Sequence, residues 1–250
     1  MVSTRGIAIL VLAATVTLAP MPALGQTFSL PGISFTGKAG PSEVSTVLEI
    51  VAALTVLALA PSIVIMLTCF TRVLIVLSFL RQAIGAPQMP PNQILTGLAL
   101  FLTVSVMAPV GQEVHAAALA PYIARQISPE QALARGWQPV RAFLLKHTRE
   151  RDLGLMVELS HEQRPATPAD VSAHALIPAF VISELRTAFQ LAFVLFVPFL
   201  VIDMVVASIL MSMGMLMLPP MMISLPLKIL LFVLADGWHL VVRSLVQSYQ

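Results

Sequence analysis

The sequence predicts an all-α, membrane-associated protein, with long broken hydrophobic helices on either side of a polar helical insert. Three observations lead there. Hydrophobic residues make up 58% of the 250 and charged residues 10%, with a mean hydropathy of +0.91, whereas a soluble chain carries about one-quarter charged residues. The apolar residues gather in runs close to or beyond the ~20 that a helix needs to span a bilayer. Between these runs, residues 112–175 hold seven basic and seven acidic side chains and carry helix-start signals. The net charge of +2 leaves no basic excess for nucleic acid. One cysteine, Cys69, excludes an internal disulfide and a multi-cysteine metal site.

Residues 1–25 read as a cleavable signal peptide. Arg5 precedes the apolar run Ile7 to Ala19, and Ala23-Leu24-Gly25 puts small residues at the two positions a signal peptidase reads. The alternative, an uncleaved first anchor, meets a run shorter than the ~20 residues of a span. A polar linker, 26–46, follows. Residues 47–111 are expected to form a first hydrophobic helical hairpin. Val47 to Leu80 is nearly continuous, broken by Glu49, Pro61 and Arg72. The polar turn from Arg81 to Gln93 then leads to a second apolar segment, Ile94 to Val110. Arg72 and Arg81 flank the inner side of this hairpin, as the positive-inside tendency asks.

The insert, 112–175, is expected to fold outside the hydrocarbon. Ser128-Pro129-Glu130-Gln131 offers a capping residue, proline at the first helical position and Gln three residues after the cap. Gly136 is expected to stop that helix. Val140, Phe143, Leu144 and His147 then fall at helical spacing as an apolar stripe. Thr167-Pro168-Ala169-Asp170 repeats the start signal.

Residues 176–250 are expected to form a second hydrophobic hairpin with a methionine-rich loop. Thr187 to Leu218 carries one charge, Asp203, over 32 residues. As helix this would extend about 48 Å at 1.5 Å per residue, beyond a hydrocarbon core of ~30 Å. Met221 to Val242 is a fourth apolar segment containing Lys228 and Asp236. Hydropathy thus gives four spans, but Pro61, Pro109, Pro198 and Pro226 interrupt them and the third is overlong, so some are expected to be buried in protein rather than lipid.

The stretch Met211 to Met222, MSMGMLMLPPMM, holds six methionines in twelve residues. In a helix, Met211, Met213, Met215 and Met217 would scatter around the cylinder; in an extended or looped backbone they share one side. Gly214 and Pro219-Pro220 weaken the helical option. Three uses are open: filler in a lipid-facing helix, thioether ligands for Cu(I) in a permease, or a loop lining a passage.

Charges within apolar segments are costly and default to paired or functional roles. These are Arg72, Glu184, Arg186, Asp203, Lys228 and Asp236. If 211–222 is a loop, Asp203 and Lys228 lie nearly level and can close as a buried ion pair within one chain. If the turn is tight, they differ by about 12 Å along the helices and need partners from neighbouring chains; Asp236 is an alternative partner for Lys228 across chains. Enzyme signatures are mostly missing. His161-Glu162 begins a zincin-like pair, but Pro165 occupies the second histidine position. No catalytic residue, metal site or cofactor is expected.

The stretch from Pro178 to Trp238, PAFVISELRTAFQLAFVLFVPFLVIDMVVASILMSMGMLMLPPMMISLPLKILLFVLADGW, closely resembles the FliP family of flagellar type III export-gate proteins and their virulence-secretion relatives. CFTRVLIVLSFLRQAIGAPQMPPNQILTGLALFLT from Cys69 and KHTRERDL from Lys146 fit the same family. The resemblance implies a non-enzymatic subunit of the export apparatus at the flagellar basal body in the bacterial inner membrane. It implies several copies assembling with FliQ and FliR into a helical, gated channel, beside FlhB- and FlhA-type neighbours, for secreted flagellar chains. It assigns Met211, Met213, Met215 and Met217 to a pore gasket, with Gly214, Pro219 and Pro220 as its hinge. Three residues depart from the family's usual pattern: Leu216 interrupts the methionine run, Ala192 stands where glycine is common, and Cys69 replaces a frequent serine.

Overall fold

The computed structural model describes residues 41–160, 167, 170–215 and 218–249, with side chains from 47 onward. The expected signal peptide and most of the linker, the His161-Glu162 pair with Pro165, and Leu216 and Met217 lie outside the described residues. All the regular structure among the described residues is helical. Chain contacts divide the molecule into Met1–Thr55 and Val56–Gln250, and the hydrophobic core belongs to the second unit.

Helix α1, Pro41–Met66, runs straight through Pro61, so the expected break there does not occur. No described side chain of α1 is buried, and Val47–Met66 is apolar and long enough to cross a membrane. The Val47 to Leu80 run breaks instead at residues 67–69, where Cys69 precedes α2, Phe70–Ile84. Helix α2 buries Arg72, Val73, Val76, Leu77, Leu80 and Ala83, a stripe at the three- and four-residue spacing of one helix face. It ends at Gly85, whose φ of 86° is the left-handed conformation glycine supplies without strain.

Helix α3, Asn92–Val114, continues through a π-helical turn, His115–Leu119, into α4, Ala120–Ile123. The second apolar segment therefore does not end near Val110 but extends to Ile123. Ser128 caps α5, Pro129–His147, with the reciprocal capping box its sequence calls for. Gly136 does not stop α5. A Cβ there would lie 3.3 Å from the Ala118 Cβ, so glycine permits close approach to the π turn. Helix α6, Glu150–Leu159, follows.

Helix α7 begins at Ala173 with Ser172 as its cap, not at the Thr167 signal, and runs forty residues to Ser212 through Pro178 and Pro198. At 1.5 Å per residue it is about 60 Å long. Its buried residues, from Leu176 through Phe180, Ser183, Glu184, Ala188 and Ala192 to Leu210, form one stripe. Helix α2 packs along this helix. Helices α8, Pro220–Leu234, and α9, Gly237–Gln247, meet at a 64° bend. Among the described residues, three helices are thus long and apolar enough to cross a membrane, and the bent α8–α9 pair makes four if it counts as one span.

Candidate functional site

The three stretches that carry the family resemblance converge on one buried polar knot. Arg72, at the first turn of α2, and Glu184, in α7, are both almost fully buried. They form an ion pair in which Arg72 Nη2 meets Glu184 Oε1 and Arg72 Nε donates to Oε2 at 2.9 Å, the two-pronged geometry a guanidinium favours. Arg72 Nη1 donates to the Ser248 carbonyl at 3.2 Å and to its Oγ at 2.9 Å. The Tyr249 hydroxyl donates to Glu184 Oε2 at 2.5 Å, and its ring lies 3.9 Å beneath the Arg72 guanidinium, a cation–π arrangement. Burial, and next the Glu184 carboxylate, push the Tyr249 phenol far above its ordinary range, so it remains a donor.

At the residue just before Glu184, Ser183 Oγ donates to the buried Asp152 at 2.7 Å and accepts from the Arg149 backbone N–H at 3.1 Å. The Arg149 guanidinium reaches Gln190 at 2.6 Å. This fastens the Lys146–Leu153 stretch to α7. His147 packs against Phe143 and Tyr249, with ring centroids 4.7 and 5.1 Å apart. Burial first, then Arg72 and Lys146, lower its pKa to about 4.

A second site lies farther along α7. The helix ends at Ser212, Met213 and Gly214 form a turn, and α8 begins at Pro220. Gly214 is left-handed, with φ 74°. The helices thus reach into the expected loop from both sides: Met211 lies in the last turn of α7, and Met221 and Met222 lie in the first turn of α8. Met211, Met213 and Met215 are all exposed. The helix break places Asp203 nine residues before the end of α7 and Lys228 eight after the start of α8, nearly level. Lys228 Nζ sits 2.6 Å from Asp203 Oδ2. The pair is lopsided, since the Lys228 side chain is 7% exposed and that of Asp203 38%. Asp203 Oδ1 is shielded and has no hydrogen-bond partner among the described residues. Gly85, at the carbonyl end of α2, lies beside Lys228 Nζ, where a helix terminus favours a cation.

The other two charges of the apolar segments stand apart. Arg186 is exposed on α7 beside Phe189 and Gln190. Asp236 is exposed at the α8–α9 bend with φ 48°. Sequence reasoning named Arg72 and Glu184 as costly charges without joining them, and passed over Asp152, Ser183, Ser248 and Tyr249. For Arg72 and Glu184 the available signal was that they are side chains of opposite charge type in two different apolar runs, for which pairing is the default.

The FliP family model matches residues 53–245. The chain is 51% identical over 217 residues to the flagellar biosynthetic protein FliP of Bacillus subtilis (strain 168), covering 87% of this chain and 98% of that protein. It is 48% identical over 246 residues to the same-named protein of Caulobacter vibrioides, covering 98% and 92%, and 48% identical over 215 residues to that of Aquifex aeolicus, covering 85% and 90%. A family match across most of the length, joined to an all-helical fold with three apolar helices of spanning length, places this chain in the FliP family.

Proposed function

We propose that this chain is a flagellar biosynthetic protein of the bacterial inner membrane. In this proposal several copies join FliQ- and FliR-type subunits, beside FlhB- and FlhA-type neighbours, into a gated channel that passes unfolded flagellar proteins. The observation that carries the proposal is the α7–α8 junction. There, a left-handed glycine turn holds Met211, Met213 and Met215 exposed at the end of a helix of forty residues, above an internal ion pair that fixes the two helices at one depth. Methionine suits a seal around varied chains because it is unbranched, polarizable and adaptable. Assembly is further supported by the open acceptor on Asp203 and by the exposed apolar flank of α7, including Phe193, Val197, Val201 and Met204. Such a flank needs lipid or protein against it.

The test is permeability in cells assembling the complete apparatus. A narrow apolar ring resists water and ions by dewetting. Met215→Ala with Met217→Ala should therefore raise leakage of ions or small solutes while export is partly kept. An unchanged leak, with assembly verified by co-purification of the FliQ- and FliR-type subunits, would remove these residues from the seal.

A further inference from the structure

We propose that the α7–α8 junction is a site of reversible thioether oxidation, at which peroxide-class oxidants convert a closed seal into a wet one. The proposal rests on the gate function above and adds a chemistry to it. Five described methionines cluster there with their side chains outward: Met211 at 61% exposure, Met213 at 62%, Met215 at 43%, Met221 at 67% and Met222 at 72%. Met66, Met89 and Met204 are also exposed, at 49%, 72% and 66%, but stand singly along the chain, so what sets the junction apart is the grouping of five; Met107 and Met156 are partly covered within the core. The chain's only cysteine is no competitor, because Cys69 is fully buried.

The step is a two-electron oxygen transfer. The thioether sulfur attacks the peroxide, the O–O bond breaks, and R–S–CH3 with H2O2 gives R–S(O)–CH3 and water. Sulfur is oxidised and the peroxide reduced. The product carries a strong hydrogen-bond acceptor in place of an apolar sulfur, and disrupts methionine-rich contacts. A seal that works by excluding water loses its basis when several of its side chains bind water. Methionine sulfoxide reductases reverse the change, so the oxidised state is not a dead end.

The experiment treats cells bearing the assembled apparatus with a pulse of hydrogen peroxide, follows solute leakage, and maps sulfoxides by peptide mass. Sulfoxide should accumulate at Met211, Met213, Met215, Met221 and Met222 several-fold faster than at Met107 and Met156, with leakage rising in step. Reductase treatment of permeabilised preparations should remove both. In a chain with leucine at all five positions the pulse should add no leakage to that variant's own resting level, because leucine has no sulfur to oxidise. Equal oxidation at Met107 and Met156 would overturn the site. Sulfoxides at the junction without added leakage would overturn the switch, while the gate survives if Met215→Ala with Met217→Ala still leaks. If that alanine variant does not leak, the gate function and this inference fall together.

Discussion

Arg72 is the residue on which the buried knot depends. Its guanidinium faces one carboxylate, one carbonyl, one hydroxyl and one aromatic ring, so removing it leaves Glu184 without its cation in an almost dry setting. Arg72→Met should cost about 3–5 kcal/mol, the range for breaking one half of a buried pair. The double replacement Arg72→Met with Glu184→Leu should recover most of that, because no orphan charge remains. Tyr249→Phe deletes one donor to Glu184 and should cost about 1–3 kcal/mol. Thermal unfolding of detergent-solubilised protein orders the three variants. A double replacement as unstable as the single one would show that the pair's charge is not what matters. Little of this was legible in the sequence, because Arg72 and Glu184 are 112 residues apart and nothing local records which charge meets which. Asp203 and Lys228 were easier. They flank a single turn, so counting residues from the helix break places them at the same depth.

At the scale of the element, local signals read well where they concern backbone termini and poorly where they concern packing. The Ser128 capping box forms as its four residues dictate, because every donor and acceptor it needs is within one turn. Gly136 and Pro61 carry signals that usually end helices, yet both lie inside them. Gly136 answers to the neighbouring Ala118, a contact no local rule contains. Pro61 costs its helix one hydrogen bond in an otherwise strongly apolar run. Gly237, the first residue of α9, also answers to a packing contact that no local rule contains. A Cβ there would fall inside the Phe232 ring, at the bend between α8 and α9. Gly237→Ala should destabilise the bend by about 1–3 kcal/mol, as overpacking does, and Phe232→Leu should relieve part of it. Protease cleavage at the bend measures this directly. If the Gly237→Ala chain is no more cleavable than the wild type, the ring moves aside freely.

Across the whole molecule, the half-buried His147 gives stability a defined pH dependence. His147 has its folded pKa lowered to about 4, chiefly by burial, while the unfolded chain titrates near the ordinary 6.5. Between these values the unfolded state binds the proton and the folded state does not, so acidification from about 6.5 to about 4 favours unfolding. Above about 6.5 the contribution is flat. The wild type should therefore lose more stability than His147→Gln over that window, and the two melting curves should run parallel above it. Parallel curves throughout would mean that the imidazole is charged in the folded state.

The knot also has a consequence for the order of synthesis. Arg72 and Glu184 are made well before Ser248 and Tyr249, which complete their hydrogen bonding. At roughly 5–20 residues per second, the 65 residues between Glu184 and Tyr249 take several seconds to emerge. During that interval the ion pair lacks its aromatic floor, the Tyr249 hydroxyl donor and the two Ser248 acceptors. A chain halted before residue 248 therefore carries an open polar seam beside its longest helix, and the structure cannot close it without the final turn.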